Sequence, residues 1–202
     1  MIRSAMLPTA VAALLTLGAV DALFAQPRPA EATGPAPTAA PRAPGQLDEL
    51  FARLASAKDE DEAKGVANLI ERRLERSGSD TADLLMQRSG EALKGEDAAL
   101  AVELLDRVMQ LKPDWAEAWN RRAAAFHRLE DSGQAILDLQ QALVREPRHF
   151  TAWTALGHLE LAQGNSDRAL AAFRKALKIH PHLASVTTIV ERLAPEVDGR
   201  DL

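Results

Sequence analysis

The sequence predicts an all-α fold, a solenoid of about four helix–turn–helix repeats closed by one C-terminal helix. Three observations predict it. Pro113, Pro147 and Pro181 follow one another at a constant interval, twice in succession. Two series of small residues keep the same step: Ala67, Ala101, Ala135 and Ala169, and then Ala55, Ser89, Ala123 and Gly157. A large apolar series, Phe51, Leu85, Trp119 and Trp153, runs in the same phase. A fixed period marks a stack of repeats, and this one matches a helix–turn–helix unit of about 34 residues.

Composition narrows the class. A chain of 202 residues is expected to hold one domain with an appendage. Much of the apolar content is alanine, which favours helices and close helix–helix approach. There is no cysteine, so disulfides, thiol catalysis and Cys-ligated metals are excluded. A net charge of −5 argues against nucleic acid or an anionic membrane as partner, since both favour a basic face.

Taken in order, residues 1–25 have the layout of a secretory signal peptide. Arg3 precedes an apolar run from Ala5 to Val20, and Ala22 or Ala25 offers the cleavage site. The alternatives are an Ala-rich start or an uncleaved anchor; the run is too short for a comfortable membrane span. Residues 26–46 alternate proline with alanine and contain no large apolar side chain, which is the composition of a disordered, semi-rigid linker.

Folded structure is expected from residue 47. Leu47, Leu50, Phe51 and Leu54 recur at helical spacing, with Asp48 and Glu49 in the first turn. The run Lys58-Asp59-Glu60-Asp61-Glu62 marks a turn, and a second helix follows to about Arg76, closed by Gly78. Residues 47–79 thus form a diverged first repeat, expected to cap the stack. Complete repeats follow at 80–113, 114–147 and 148–181. Asp97, Asp131 and Asn165 are in phase to cap their second helices, each worth about 1 kcal/mol. Leu183, Val186, Val190 and Leu193 give a capping helix over 182–195, ending at Pro195, with a disordered tail over 196–202.

The third and fourth repeats carry a family pattern. Trp119, Ala123, Phe126, Ala135, Leu139, Ala142 and Pro147 are followed by Trp153, Leu156, Gly157, Ala169, Phe173, Ala176 and Pro181. This resembles the tetratricopeptide repeat over about two-thirds of the chain. Arg88 and Arg122 depart from it at the usual leucine position, and Glu160 at the usual tyrosine. The resemblance implies a right-handed superhelix whose first helices line a concave groove that accepts a peptide or protein partner. Carried over residue by residue, that groove is lined by Met86, Leu93, Asn120, Ala124, His127, Thr154, His158 and Leu161. Of the lysine and asparagine set that clamps a C-terminal carboxylate, only Asn120 is present, so a chaperone C-terminus is not the implied ligand.

Plainer readings accompany these residues. His127 and His158 lie on different repeats with no acidic residue at ligand spacing, and read as solvated groove histidines rather than metal ligands. His180 and His182 flank a turn proline. Trp115 reads as a groove aromatic or a packing staple. Arg121, Arg122 and Arg128 form a basic patch or pair with Glu117 and Glu130. The run from Glu71 to Arg76 reads as an exposed helix face. No catalytic triad order, phosphate loop or zinc motif appears, and no cofactor is implied. The expectation is a non-enzymatic scaffold, exported to the periplasm or beyond, with no stable membrane insertion of the mature chain. The rival is an accessory or regulatory subunit of an enzyme complex, cytosolic or membrane-anchored.

Overall fold

The computed structural model describes residues 45–199. The expected signal peptide, almost all of the linker and the last tail residues lie outside them. Within them stand α1 (Gln46–Ala55), α2 (Glu60–Leu74), α3 (Asp80–Lys94), α4 (Ala98–Leu111), α5 (Ala116–Arg128), α6 (Ser132–Arg145), α7 (Phe150–Ala162), α8 (Ser166–Ile179) and α9 (Ala184–Asp198). The fold class is the one the sequence predicts, a helical solenoid of repeats.

The prolines stop the second helices: Pro113, Pro147 and Pro181 each lie just beyond the last residue of α4, α6 and α8. Lacking an N–H and clashing with the preceding turn, proline cannot continue a helix interior. The tryptophans then fasten these corners. Trp119 Nε1 donates to the Pro113 carbonyl at 3.0 Å, and Trp153 Nε1 repeats the bond to Pro147 at 2.8 Å. The tight turns between paired helices also repeat, with positive φ at Glu96, Glu130 and Gly164, each at the same place in its repeat.

Within each pair the small residues are where the helices meet. Ser89, Ala101, Ala123, Ala135, Gly157 and Ala169 are all buried. Replacing Ala135 or Ala169 by leucine should destabilise the fold by about 1–2 kcal/mol through overpacking, visible as a lower thermal midpoint. An unchanged transition would refute the close approach. Pairs α3–α4, α5–α6 and α7–α8 join through α4 against α5 and α6 against α7, and α9 covers α8. Val186 and Leu193 of α9 are buried against Leu170 and Phe173.

Three expectations need correction. Asp97 and Asp131 cap α4 and α6 by accepting from Leu100 N at 2.9 Å and Gln134 N at 3.0 Å. Asn165 makes no such cap. Its Nδ2 donates instead to Glu160 Oε2 at 2.8 Å, because Glu160, buried at the tyrosine position, needs a donor. The last helix does not end at Pro195 but runs through it to Asp198. The proline removes one hydrogen bond near a helix end. Leu193 and Val197 pack inward there, and Asp198 pairs with Arg174 at 2.6 Å.

The third correction concerns the first helix pair. Its turn lies at residues 56–59, so most of the charged run belongs to α2, whose N-cap is Asp59, accepting from Glu62 N at 2.8 Å. The ladder would place that cap at position 63, which is a buried alanine. Thus α1 is a turn short and α2 begins a turn early, and Ala55 is exposed rather than packed between helices. α2 ends at Leu74, and Gly78, at φ 74°, sits in the connection to α3.

The hairpin does not extend the stack beyond α3. Phe51, Leu54, Val66, Ala67 and Ile70 bury themselves with Phe150 of α7, and Ile179 of α8 packs on that cluster. Polar contacts follow the same course. His182 Nε2 contacts the Ala57 carbonyl at 2.9 Å, Arg148 Nη1 donates to Asp48 at 2.7 Å, and Trp115 Nε1 donates to the Leu74 carbonyl at 2.7 Å. Glu75 pairs with Arg121. α2 therefore passes from the α8–α9 corner, over the start of α7, to α5.

Candidate partner-binding groove

The first helices α5 and α7 lie side by side because each pairs with its own second helix. A cleft of about 540 Å³ opens between them. Its floor is apolar, made by Ala123, Leu139, Ala155 and Leu159, and its polar points are Asn120, Arg121, His127 and His158. Ala155 and His158 also line a second cleft of about 720 Å³, whose other wall is α2 through Lys64, Ala67, Asn68 and Glu71. Ala155 and His158 are therefore the wall common to both clefts.

A buried polar network stands beside them. Glu117 is 5% exposed and His149 is 2% exposed. His149 Nε2 lies 2.9 Å from Glu117 Oε2, and its Nδ1 lies 2.9 Å from Thr151 Oγ1. Asn120 Nδ2 donates to Glu117 Oε2 at 3.1 Å, and Arg121 Nε donates to Oε1 at 2.5 Å. Arg121 then reaches across to Glu75 of the hairpin. Burial pushes the Glu117 carboxyl up, but the hydrogen bond and charge of His149 and the charge of Arg121 hold it below its ordinary value. Glu71 is raised, by burial first and then by the charges of Glu117 and Glu75.

A carboxyl depressed in this way contributes stability above its unfolded value of about 4.3, and that contribution is lost as pH falls through the folded value. Thermal midpoints measured from pH 6 down to pH 3 should therefore fall, and Glu117→Gln should flatten the descent. Parallel curves would contradict the assignment.

The residues carried over from the repeat pattern divide. Asn120, Ala124, His127 and His158 line the cleft between α5 and α7. Thr154 lines the cleft beneath α2, its hydroxyl donating to the Phe150 carbonyl at 2.9 Å. Leu93 and Met86 border a separate hollow between α3 and the end of α2, with Met86 only 6% exposed in the α3–α4 core. Leu161 turns inward and packs on the α8–α9 core, because α9 covers that end of the fourth pair. Met86 and Leu161 are thus largely packing residues.

Other readings shift too. Trp115 is a staple, but for the hairpin. Arg122 does not pair with Glu117 or Glu130; it bridges Asp106 of α4 at 2.6 Å and Asp138 of α6 at 2.7 Å. Arg128 donates to the Leu93 carbonyl at 3.0 Å. The run from Glu71 to Arg76 is no plain exposed face, since Leu74 and Glu75 hold the hairpin down. Among the described residues no group of three or more His, Asp or Glu is arranged to hold a metal ion. Nor is any described helix long and apolar enough to cross a membrane.

Arg121, read from the sequence as a basic-patch residue or a partner of Glu117, does pair with Glu117 but also lines the cleft, as does Ala155, which the sequence reading did not single out. They stand one repeat apart, immediately after Asn120 and Thr154, so the same ladder would have placed both there. No periodic signal marked Phe150, whose role depends on the hairpin.

Comparison with known proteins agrees with this architecture. The tetratricopeptide repeat family model matches residues 125–184. A TPR repeat-containing protein of Rhizobium etli is 34% identical over 154 residues, 76% of this chain and 76% of that protein. The small glutamine-rich tetratricopeptide repeat-containing protein 2 of Saccharomyces cerevisiae is 29% identical over 63% of this chain and 36% of its own length. Among solved structures, the first TPR of Spaghetti (RPAP3), bound to the HSP90 peptide SRMEEVD, superposes with a TM-score of 0.56. It has 18% identity and covers 59% of this chain and 95% of its own. The MamA protein superposes at 0.54, with 21% identity, over 77% of this chain and 85% of its own. With the ladder, the paired helices and the extent of the Rhizobium match in agreement, the chain belongs to the tetratricopeptide repeat family.

Proposed function

We propose that this protein is a non-enzymatic scaffold that holds a peptide or protein partner in the groove formed by α5 and α7, in the bacterial cell envelope after export. Repeats of this family mediate protein–protein interactions. The observation that carries the reading is the cleft between α5 and α7. Small side chains at Ala123, Ala124 and Ala155 leave room for an incoming chain, and Asn120, His127 and His158 ring it with hydrogen-bonding groups. An apolar floor with a few convergent polar groups suits a peptide that buries side chains and satisfies its backbone. The N-terminal pattern supports export, and the net charge of −5 supports a protein partner rather than nucleic acid.

Two experiments test it. Affinity capture with the wild type and with an Asn120→Ala/His127→Ala/His158→Ala variant should show partners lost in the variant. Capture of the same partners at the same strength would place binding elsewhere. Fractionation with N-terminal sequencing should find a mature chain that begins after Ala22 or Ala25 outside the cytoplasm. An intact Met1 in the cytosol would defeat export.

A further inference from the structure

We infer that the α1–α2 hairpin is a displaceable internal ligand of the groove, and that the partner is an amphipathic helix with acidic residues flanking its apolar stripe, which takes the hairpin's place. The inference rests on the protein-binding reading above and deepens it.

The hairpin has the sequence of a repeat and the position of a ligand. Phe51 and Ala67 keep the ladder's phase, yet the shifted turn at 56–59 takes the pair out of register with α3. What it docks on instead is one wall of the groove. The apolar stripe of α2, Ala63, Val66, Ala67 and Ile70, has amphipathic-helix spacing and is shared between Phe51 and Leu54 of α1 and Phe150 of α7. Phe150 and Ile179 of the stack complete that cluster.

Its hold is graded. The apolar anchor lies at the α7–α8 end, where the Arg148 guanidinium also stacks 4.3 Å from the Phe51 ring centroid. The two acidic contacts are open to water: the side chains of Asp48 and Glu75 are 50% and 46% exposed where they pair with Arg148 and Arg121. Such pairs choose a partner's charge more than they bind it. Beneath α2 the packing is incomplete, as the 720 Å³ cleft shows. Closure also brings Glu71 toward Glu117 of α5, a like-charge cost that the open hairpin would not carry. The connection leaves room for a pivot only before Ser77, because Ser77 donates from both N and Oγ to Asp83 of α3, at 2.9 and 2.6 Å, and ties the chain to α3 from there on, across Gly78 at φ 74°.

The closed hairpin therefore displays what the site selects. A competing helix needs small and branched apolar residues along one face, one acid beyond the C-terminal end of that face to meet Arg121, and another acid placed to meet Arg148.

The test uses the full chain and the hairpin itself as probe. Asp48→Lys/Glu75→Lys reverses both exposed acids, and a synthetic peptide of residues 46–76 with the natural sequence is titrated against it and against the wild type. Because the chain has no cysteine, Ala52→Cys and Lys175→Cys supply the spin-label pair that reads hairpin position in both proteins. The variant should open, with a longer label–label distance, and bind the peptide at least tenfold more tightly than the wild type. Saturating peptide should open the wild type as well. Hydrogen exchange in α4 and α6, which the hairpin does not cover, should be unchanged, which shows the stack still folded. Equal peptide affinity in the two proteins, or no binding to an opened variant, overturns the inference and leaves the capture experiment above unaffected. Label distances that arise only between chains overturn it in favour of hairpin exchange with a second copy.

Discussion

Replacing Arg122 by alanine is expected to cost about 3–5 kcal/mol of stability, the range for breaking a buried ion pair by removing one partner. Arg122 takes the family's leucine position, yet it sits at the junction of three helices. Its Nε and Nη2 reach the two oxygens of Asp138 at 2.7 Å each, and Nη1 reaches Asp106 at 2.6 Å. Asp138 is only 3% exposed. Without the guanidinium its carboxylate stays buried with no cation, while Asp106, half in water, can hydrate. The guanidinium also lies 5.2 Å from the Trp119 ring centroid, so packing is lost too. Chemical denaturation of the single variant and of Arg122→Leu/Asp138→Leu separates these causes. The double variant should recover most of the loss, since an apolar pair of similar volume often replaces a buried ion pair at little cost. Equal loss in both would mean that the charge of Asp138 is not the issue.

Gly157→Ala should be the second large effect, at about 2–3 kcal/mol of destabilisation from overpacking. A Cβ added there would stand 2.6 Å from Phe173 Cε1, closer than any carbon contact allows. Phe173 is fully buried between α7 and α9, so the ring has nowhere to withdraw. Alanine's better helix propensity, worth about 1 kcal/mol, offsets only part of this. The ladder explains why glycine stands here alone. In the other repeats Ser89 and Ala123 face leucines, Leu105 and Leu139, at the position that Phe173 holds in the fourth. Gly157→Ala/Phe173→Leu therefore rebuilds the third repeat's pair inside the fourth. Its loss should be smaller than the sum of the single losses by at least about 1 kcal/mol, a coupling that contacting residues show. Strict additivity would dissolve the proposed contact.

These two sites mark how far the sequence could be read. Gly157 was visible in a small-residue series and Phe173 in the family pattern, and the reason for the glycine followed once helices were paired. Arg122 was visible only as a departure. Whether a misplaced arginine loosens a seam or ties it depends on what faces it, and Asp106 and Asp138 belong to other helices, one before it in the chain and one after. The Asn165 cap failed for the same reason, since Glu160, the other departure from the pattern, competed for its amide.

By itself the sequence determined the helix pairs after the first, their constant step, the proline corners and the small residues between those paired helices. All are near in the chain or recur at its period, so local geometry and repetition suffice to place them. Tertiary structure alone decided where the first pair goes. Its residues keep the repeat's composition while its turn is displaced by one helical turn, and a helix pair out of register has two surfaces to choose from. Phe150, Ile179, Arg148 and Arg121 offer it apolar burial and opposite charge from far ahead in the chain, and the free energy of that distant contact is written in no local pattern.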